Sequence, residues 1–126
     1  MLIVFTGNGK GKTSAAIGVA IRAFGRRKKV RFYQFMKNVE SGEIKVLKDM
    51  GIFVERFGTG FVKDFDEKAY KICMDGLEKI EKDVEKEEPF LLILDELNVA
   101  LSLGLLDDEK VRIFLKKWKD KIHIIA

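Results

Sequence analysis

Eight residues near the amino terminus, Thr6-Gly7-Asn8-Gly9-Lys10-Gly11-Lys12-Thr13, combine pliant backbone, two ammonium groups and a hydroxyl at a spacing that cradles phosphate. The glycines let successive N–H groups converge on an anion, Lys12 adds a point charge, and the Thr13 hydroxyl can serve Mg²⁺. The usual pattern is G-x-x-x-x-G-K-[ST], and three of its four fixed positions are met, with Thr6 in place of the first glycine. The flanks supply the context such a loop needs. Leu2-Ile3-Val4-Phe5 reads as a buried strand, and Ser14 to Ile21 reads as a helix packed on a sheet, whose positive end strengthens an anion site. Gly7, Asn8, Gly9, Lys10, Gly11, Lys12 and Thr13 are therefore the expected ATP-binding residues.

A second pair of chemical groups lies at Leu91-Leu92-Ile93-Leu94-Asp95-Glu96, an apolar strand ending in two acids. In parallel α/β sheets ligands gather at the carboxyl ends of strands, so Asp95 and Glu96 should meet the glycine-rich loop despite their distance in sequence. Thr13, Asp95 and Glu96 are the expected Mg²⁺ residues, one carboxylate holding the ion directly or through water and another orienting a nucleophile. The alternative is that the acids cap the next helix.

The elements that must position these groups follow from hydrophobic rhythm. Short apolar runs at Leu2 to Phe5, Val30 to Phe35, Ile52 to Arg56, Phe90 to Leu94 and Ile122 to Ile125 alternate with helical patterns, which predicts a parallel sheet with crossover helices. The first helix should bury Ala16, Val19, Ala20, Ala23 and Phe24 and end at Gly25. Ser41 should cap a short helix carrying Ile44, Val46 and Leu47. Asp66 should start a longer one with Ala69, Tyr70, Cys73, Leu77, Ile80 and Val84 inward. Asp107 or Asp108 should cap a last helix facing the sheet through Val111, Phe114, Leu115 and Trp118. The fold class is α/β, a three-layer P-loop NTPase-like domain with a mainly parallel sheet of about five strands, and residues 1–126 are read as one domain.

Composition narrows the function classes. Lys and Arg number 24 against 20 acids, and Lys10, Lys12, Arg26, Arg27, Lys28 and Lys29 make the first quarter basic, as suits a polyphosphate ligand. No aromatic-studded basic stripe supports nucleic acid as a partner. One cysteine, Cys73, and one histidine, His123, argue against a disulfide framework, a Cys/His metal centre or a catalytic triad, so no acid–base catalyst is assigned and Cys73 reads as a small core residue. The chain opens directly on its first strand without a signal-like segment, and no apolar stretch reaches the ~20 residues that span a membrane, so a cytoplasmic location is expected.

Four blocks, Thr6 to Thr13, Tyr33-Gln34-Phe35-Met36-Lys37, Phe57-Gly58-Thr59-Gly60-Phe61 and Leu94-Asp95-Glu96-Leu97-Asn98, together resemble the ATP:corrinoid adenosyltransferases of the P-loop type, which act on cob(I)alamin or cob(I)yrinic acid a,c-diamide. Ser41-Gly42-Glu43 and Gly104-Leu105-Leu106 extend the resemblance over essentially the whole chain. It implies a P-loop α/β fold and transfer of the 5′-deoxyadenosyl group of ATP to Co(I) of a corrinoid co-substrate, with triphosphate released. It further implies that Gly7 to Thr13 hold the triphosphate in the reverse of the usual direction, that Thr13 and Glu96, with Asp95, serve Mg²⁺, and that Gln34, Lys37, Glu43 and Phe61 border the corrinoid cleft. A Co(I) nucleophile needs no general base, in keeping with the scarcity of Cys and His.

Three departures accompany the resemblance. Family members carry a helix before the first strand, an aromatic where Lys63 stands here, and a Thr-Gly-Arg-Gly loop and further strand beyond the position of Ala126. They spare the ATP half and affect the corrinoid half, so a partner is expected to complete the cleft, and an open edge at Ile124-Ile125-Ala126 would suit a homodimer. Two other classes stay open on the residues alone: a small P-loop NTPase or kinase, and a non-catalytic ATP-binding module.

Overall fold

Strand residues of alternating direction feed two apolar layers, one on each face of a single parallel sheet. A computed structural model describes residues 1–5, 11–60 and 62–126. The elements run β1 (Leu2–Ile3), α1 (Lys12–Gly25), β2 (Val30–Phe35), α2 (Gly42–Asp49), β3 (Phe53–Phe57), α3 (Glu67–Glu87), β4 (Leu91–Asp95), α4 (Leu97–Ser102), α5 (Asp108–Trp118) and β5 (His123–Ile125). The sheet order is β1-β5-β4-β2-β3, with every neighbouring pair parallel. Val30, Phe32, Leu91 and Ile93 pack with Ala16, Ile17 and Ala20 of α1 and Ile44 and Leu47 of α2. Tyr33, Phe35, Leu92 and Leu94 point the other way, into α3 and α5.

The expected strands and long helices are present, except that the first, expected as a buried strand over Leu2 to Phe5, is the two-residue β1 at the sheet's edge, where having a neighbour on one side only leaves Ile3 and Val4 exposed; the caps fall where the sequence places them. The Ser41 hydroxyl accepts from the Ile44 N–H, Asp66 from Ala69, and Asp107 from Glu109 and Lys110. Three further details differ. Val19 and Val46 are exposed, at 38% and 54%, because each sits one residue, about 100°, off its helix's inward stripe, which on α1 runs through Ile17 instead. The six-residue α4 was not expected, being too short to show a period. β5 lies between β1 and β4, so Ile124-Ile125-Ala126 is no open edge, and the homodimer expected through it loses its basis; β1 and β3 are the edges.

The end of β3 is fixed by a close approach. Gly76 of α3 lies against the Phe57 ring, where an added Cβ would come within 2.5 Å of a ring carbon. Phe57 also stacks on Tyr33 and tilts against Phe35, which ties β3 to β2. Among the described residues no helix is long and apolar enough to cross a membrane.

Cys73 is fully buried in the α3 core, as its sequence context suggests, and burial pushes its thiol up to about 11 from an ordinary 9.0. The folded protein then holds this proton more tightly than the unfolded chain, so the contribution is present below pH 9 and lost as pH climbs to about 11. Replacing Cys73 with Ala should make the decline in unfolding free energy over that interval shallower by about 2 kcal/mol in urea titrations. The decline should persist in part, because burial raises the Tyr33 phenol in the same direction.

Candidate nucleotide and metal site

The register of the central strands builds the site's polar floor. Gln34 of β2 stands opposite Asp95 of β4 in the parallel ladder, and both end on the sheet face that α1 covers. The Gln34 amide donates to Asp95 Oδ2 at 2.9 Å. The Thr13 hydroxyl, in the first turn of α1, reaches both carboxylate oxygens at 3.0 and 3.2 Å across a sequence separation of 82 residues. The expected meeting of the strand-end acids with the loop's threonine is thus present, on Asp95. α1 starts from Gly11, whose left-handed backbone (φ 111°) suits a glycine, and has no acidic residue in its first turn, so its positive end is not offset by its own side chains.

Glu96 occupies a different position. It precedes α4 with φ 64°, a left-handed conformation rarely taken by a residue with a side chain, and its carboxylate makes no capping bond. The helix-cap alternative for this side chain is therefore not realised. Met36, immediately past β2, adopts the same conformation at φ 69°, and its N–H donates to the Phe57 carbonyl at 2.6 Å. Gly58 crosses the Met36–Lys37 backbone so closely that a Cβ would lie 2.3 Å from the Met36 carbonyl carbon. Asn38 then donates from its amide to the Thr59 carbonyl at 2.9 Å, joining the loops after β2 and β3.

Between these strand ends lies a cleft of about 530 Å³. Its lining brings together Thr13, Gln34, Lys37, Glu43 and Glu96, residues drawn from four separate parts of the chain. Met36, Val39, Val62 and Val99 give it an apolar side. Glu43, at the start of α2, is held below the usual carboxylate range by its own backbone N–H, then by the Ser41 hydroxyl, with Lys37 adding a smaller attraction. A smaller cavity of about 30 Å³, which shares Glu96 with the cleft, is lined by Lys12, Asp95 and Glu96 among others. Gly7, Asn8, Gly9, Lys10 and Phe61, all expected site residues, lie outside the described residues. Asn38 is a lining residue that the sequence does not single out, since loop contacts carry no period, and Ser41, expected as a helix cap, lines the cleft as well.

The oxygen donors of Thr13, Asp95 and Glu96 suit a hard divalent cation such as Mg²⁺. Among the described residues no group of three His, Cys, Asp or Glu side chains is placed to hold a metal by itself. Mg²⁺ is commonly held by one or two carboxylates together with substrate phosphates, so this donor set fits such an ion.

The profile of the ATP:corrinoid adenosyltransferase family BtuR/CobO/CobP matches residues 1–126. A corrinoid adenosyltransferase of Escherichia coli (strain K12) is 36% identical over 114 residues, covering 88% of this chain and 58% of that protein. One from Pseudomonas aeruginosa is 33% identical over 131 residues, covering all of this chain and 64% of its own. The chain therefore spans under two thirds of the length of these curated relatives. The solved structure of hydrogenase maturation factor HypB from Archaeoglobus fulgidus aligns with 99% of this chain and 79% of its own at 16% identity, with a TM-score of 0.41, too slight a likeness to carry an argument.

A left-handed residue with a side chain costs roughly 1–3 kcal/mol, so Glu96 is not placed there for stability. Replacing Glu96 with Gly should raise the unfolding free energy by about 0.5–1 kcal/mol, whereas Glu96→Ala should not. Urea denaturation of the two variants side by side measures the difference; a destabilised glycine variant would show that the Glu96 side chain supports the fold.

Proposed function

The chain belongs to the ATP:corrinoid adenosyltransferase family, and we propose that it binds ATP with Mg²⁺ at the Thr13–Asp95 end of the cleft and presents the ribose to a corrinoid. The observation that carries the reading is the pairing of Thr13 with Asp95 at the head of a cleft that also gathers Gln34, Lys37, Glu43 and Glu96. Gly7 to Thr13 would hold the triphosphate, Lys12 supplying a charge and α1 its positive end. Thr13, Asp95 and Glu96 would hold Mg²⁺, which supplies neutralisation of the leaving triphosphate.

In the reaction this assigns, the Co(I) lone pair of the corrinoid substrate forms a bond to the ribose C5′. The C5′–O bond breaks, and triphosphate leaves with its electron pair. No proton has to move in that step, so the side chains have positioning and charge compensation as their tasks. Lys37 and Glu43 at the cleft rim, with Phe61, are proposed to face the corrinoid. A cytoplasmic setting is proposed with it, since the substrates of this reaction are ATP and a reduced corrinoid.

Lys12→Ala should weaken MgATP binding by about 1.5–3 kcal/mol, read by calorimetry, through loss of a charge-assisted contact. Unchanged affinity would remove the phosphate loop from the site. Anaerobic incubation with MgATP and chemically reduced cobalamin or cobinamide should yield adenosylcorrinoid and triphosphate together. ADP and phosphate in their place would instead identify phosphoryl transfer.

A further inference from the structure

The family resemblance puts Gln34 beside the corrinoid cleft, and its amide is directed at Asp95. Both residues are buried, at 4% and 7% exposure, and with Arg31 they make up the buried polar and charged side chains among the described residues. Burying an amide and a carboxylate is costly unless each finds a partner, and here they find one another. β2 is hydrogen-bonded to β3 on one side and β4 on the other, so the amide is delivered from an inner strand of the sheet.

Thr13 alone leaves the Asp95 carboxylate poorly defined. Its one hydroxyl hydrogen lies between two oxygens at 3.0 and 3.2 Å, which fixes their distance but leaves the carboxylate plane free to turn. The bond from Gln34 to Oδ2 fixes that plane and leaves Oδ1 as the nearer acceptor for Thr13. A threonine whose proton is held by Asp95 keeps its lone pairs for a cation.

We propose that Gln34 is a positioning residue for the metal: it orients Asp95, Asp95 orients the Thr13 hydroxyl, and the amide thereby sets Mg²⁺ affinity rather than acceptor binding. The inference rests on the reading of this cleft as a Mg-nucleotide site. Outer partners of metal ligands commonly change metal affinity by 10–100-fold when removed.

The test is a two-residue cycle read by calorimetry of ATP binding, in EDTA and across an Mg²⁺ titration. Gln34→Met keeps side-chain length and packing but cannot donate. It should leave metal-free ATP affinity within about twofold and raise the Mg²⁺ midpoint by about tenfold. In an Asp95→Asn background the same change should move the midpoint by less than about twofold, since the amide acts through that carboxylate. If Gln34→Met fails to fold, as judged by circular dichroism, Gln34→Asn keeps the amide but withdraws it by one methylene and serves the same comparison. An unchanged midpoint, or an equal shift in the Asp95→Asn background, would overturn the proposal. Failure of the underlying site reading has a separate signature: ATP affinity of the unaltered protein that does not respond to Mg²⁺, which removes both.

Discussion

The buried carboxylate of Asp95 is the constraint around which this end of the molecule is arranged. A carboxylate at 7% exposure on a central strand is tolerated only when donors replace its lost water, and two donors from different elements do so. Thr13 belongs to the first turn of α1 and Gln34 to β2, so the bonds that stabilise one acid also set the helix against the sheet. Local stability and site geometry share the same contacts here.

The two sheet faces divide the remaining work. On the α3 and α5 face the strands present Tyr33, Phe35, Leu92 and Leu94, and the core is apolar with one buried ionic patch, where Arg31 donates to the Tyr33 phenol and reaches Asp83. On the α1 face the apolar ladder of Phe32 and Ile93 is followed, at the next inward position of each strand, by Gln34 and Asp95. The change from apolar to polar happens at the last inward position of each strand, which places the hydrogen-bonding floor beside the cleft.

Legibility from sequence followed the reach of each signal. Apolar runs, caps and the two motif blocks are local patterns, and they place the strands, the long helices and the Thr13–Asp95 pairing. Strand order is not local: the insertion of β5 between β4 and β1 reverses the edge assigned to Ile124-Ile125-Ala126, and nothing in those three residues distinguishes an inner strand from an edge. Cross-strand register is equally silent, which is why the resemblance gives Gln34 as a cleft residue, as the structure does, but not as the hydrogen-bond partner of Asp95. Val19 and Val46 illustrate a smaller limit, since several phases of one helical period fit a short apolar segment until the sheet selects among them.

Backbone strain is found at the ends of β2 and β4. β2 and β4 are neighbours, and each is followed at once by a left-handed residue bearing a side chain, Met36 and Glu96. Met36 and Glu96 lie within one position of each other in the ladder, and both line the cleft. Such conformations cost of order 1–3 kcal/mol apiece and persist only where surrounding structure over-determines them. Around Met36 that structure is identifiable: a hydrogen bond to Phe57, a glycine at 58 with no room for a Cβ, and Phe57 itself pinned by Gly76 of α3. The described walls of the cleft are therefore set by the core beneath them, and a ligand entering there meets groups already held in place by the sheet.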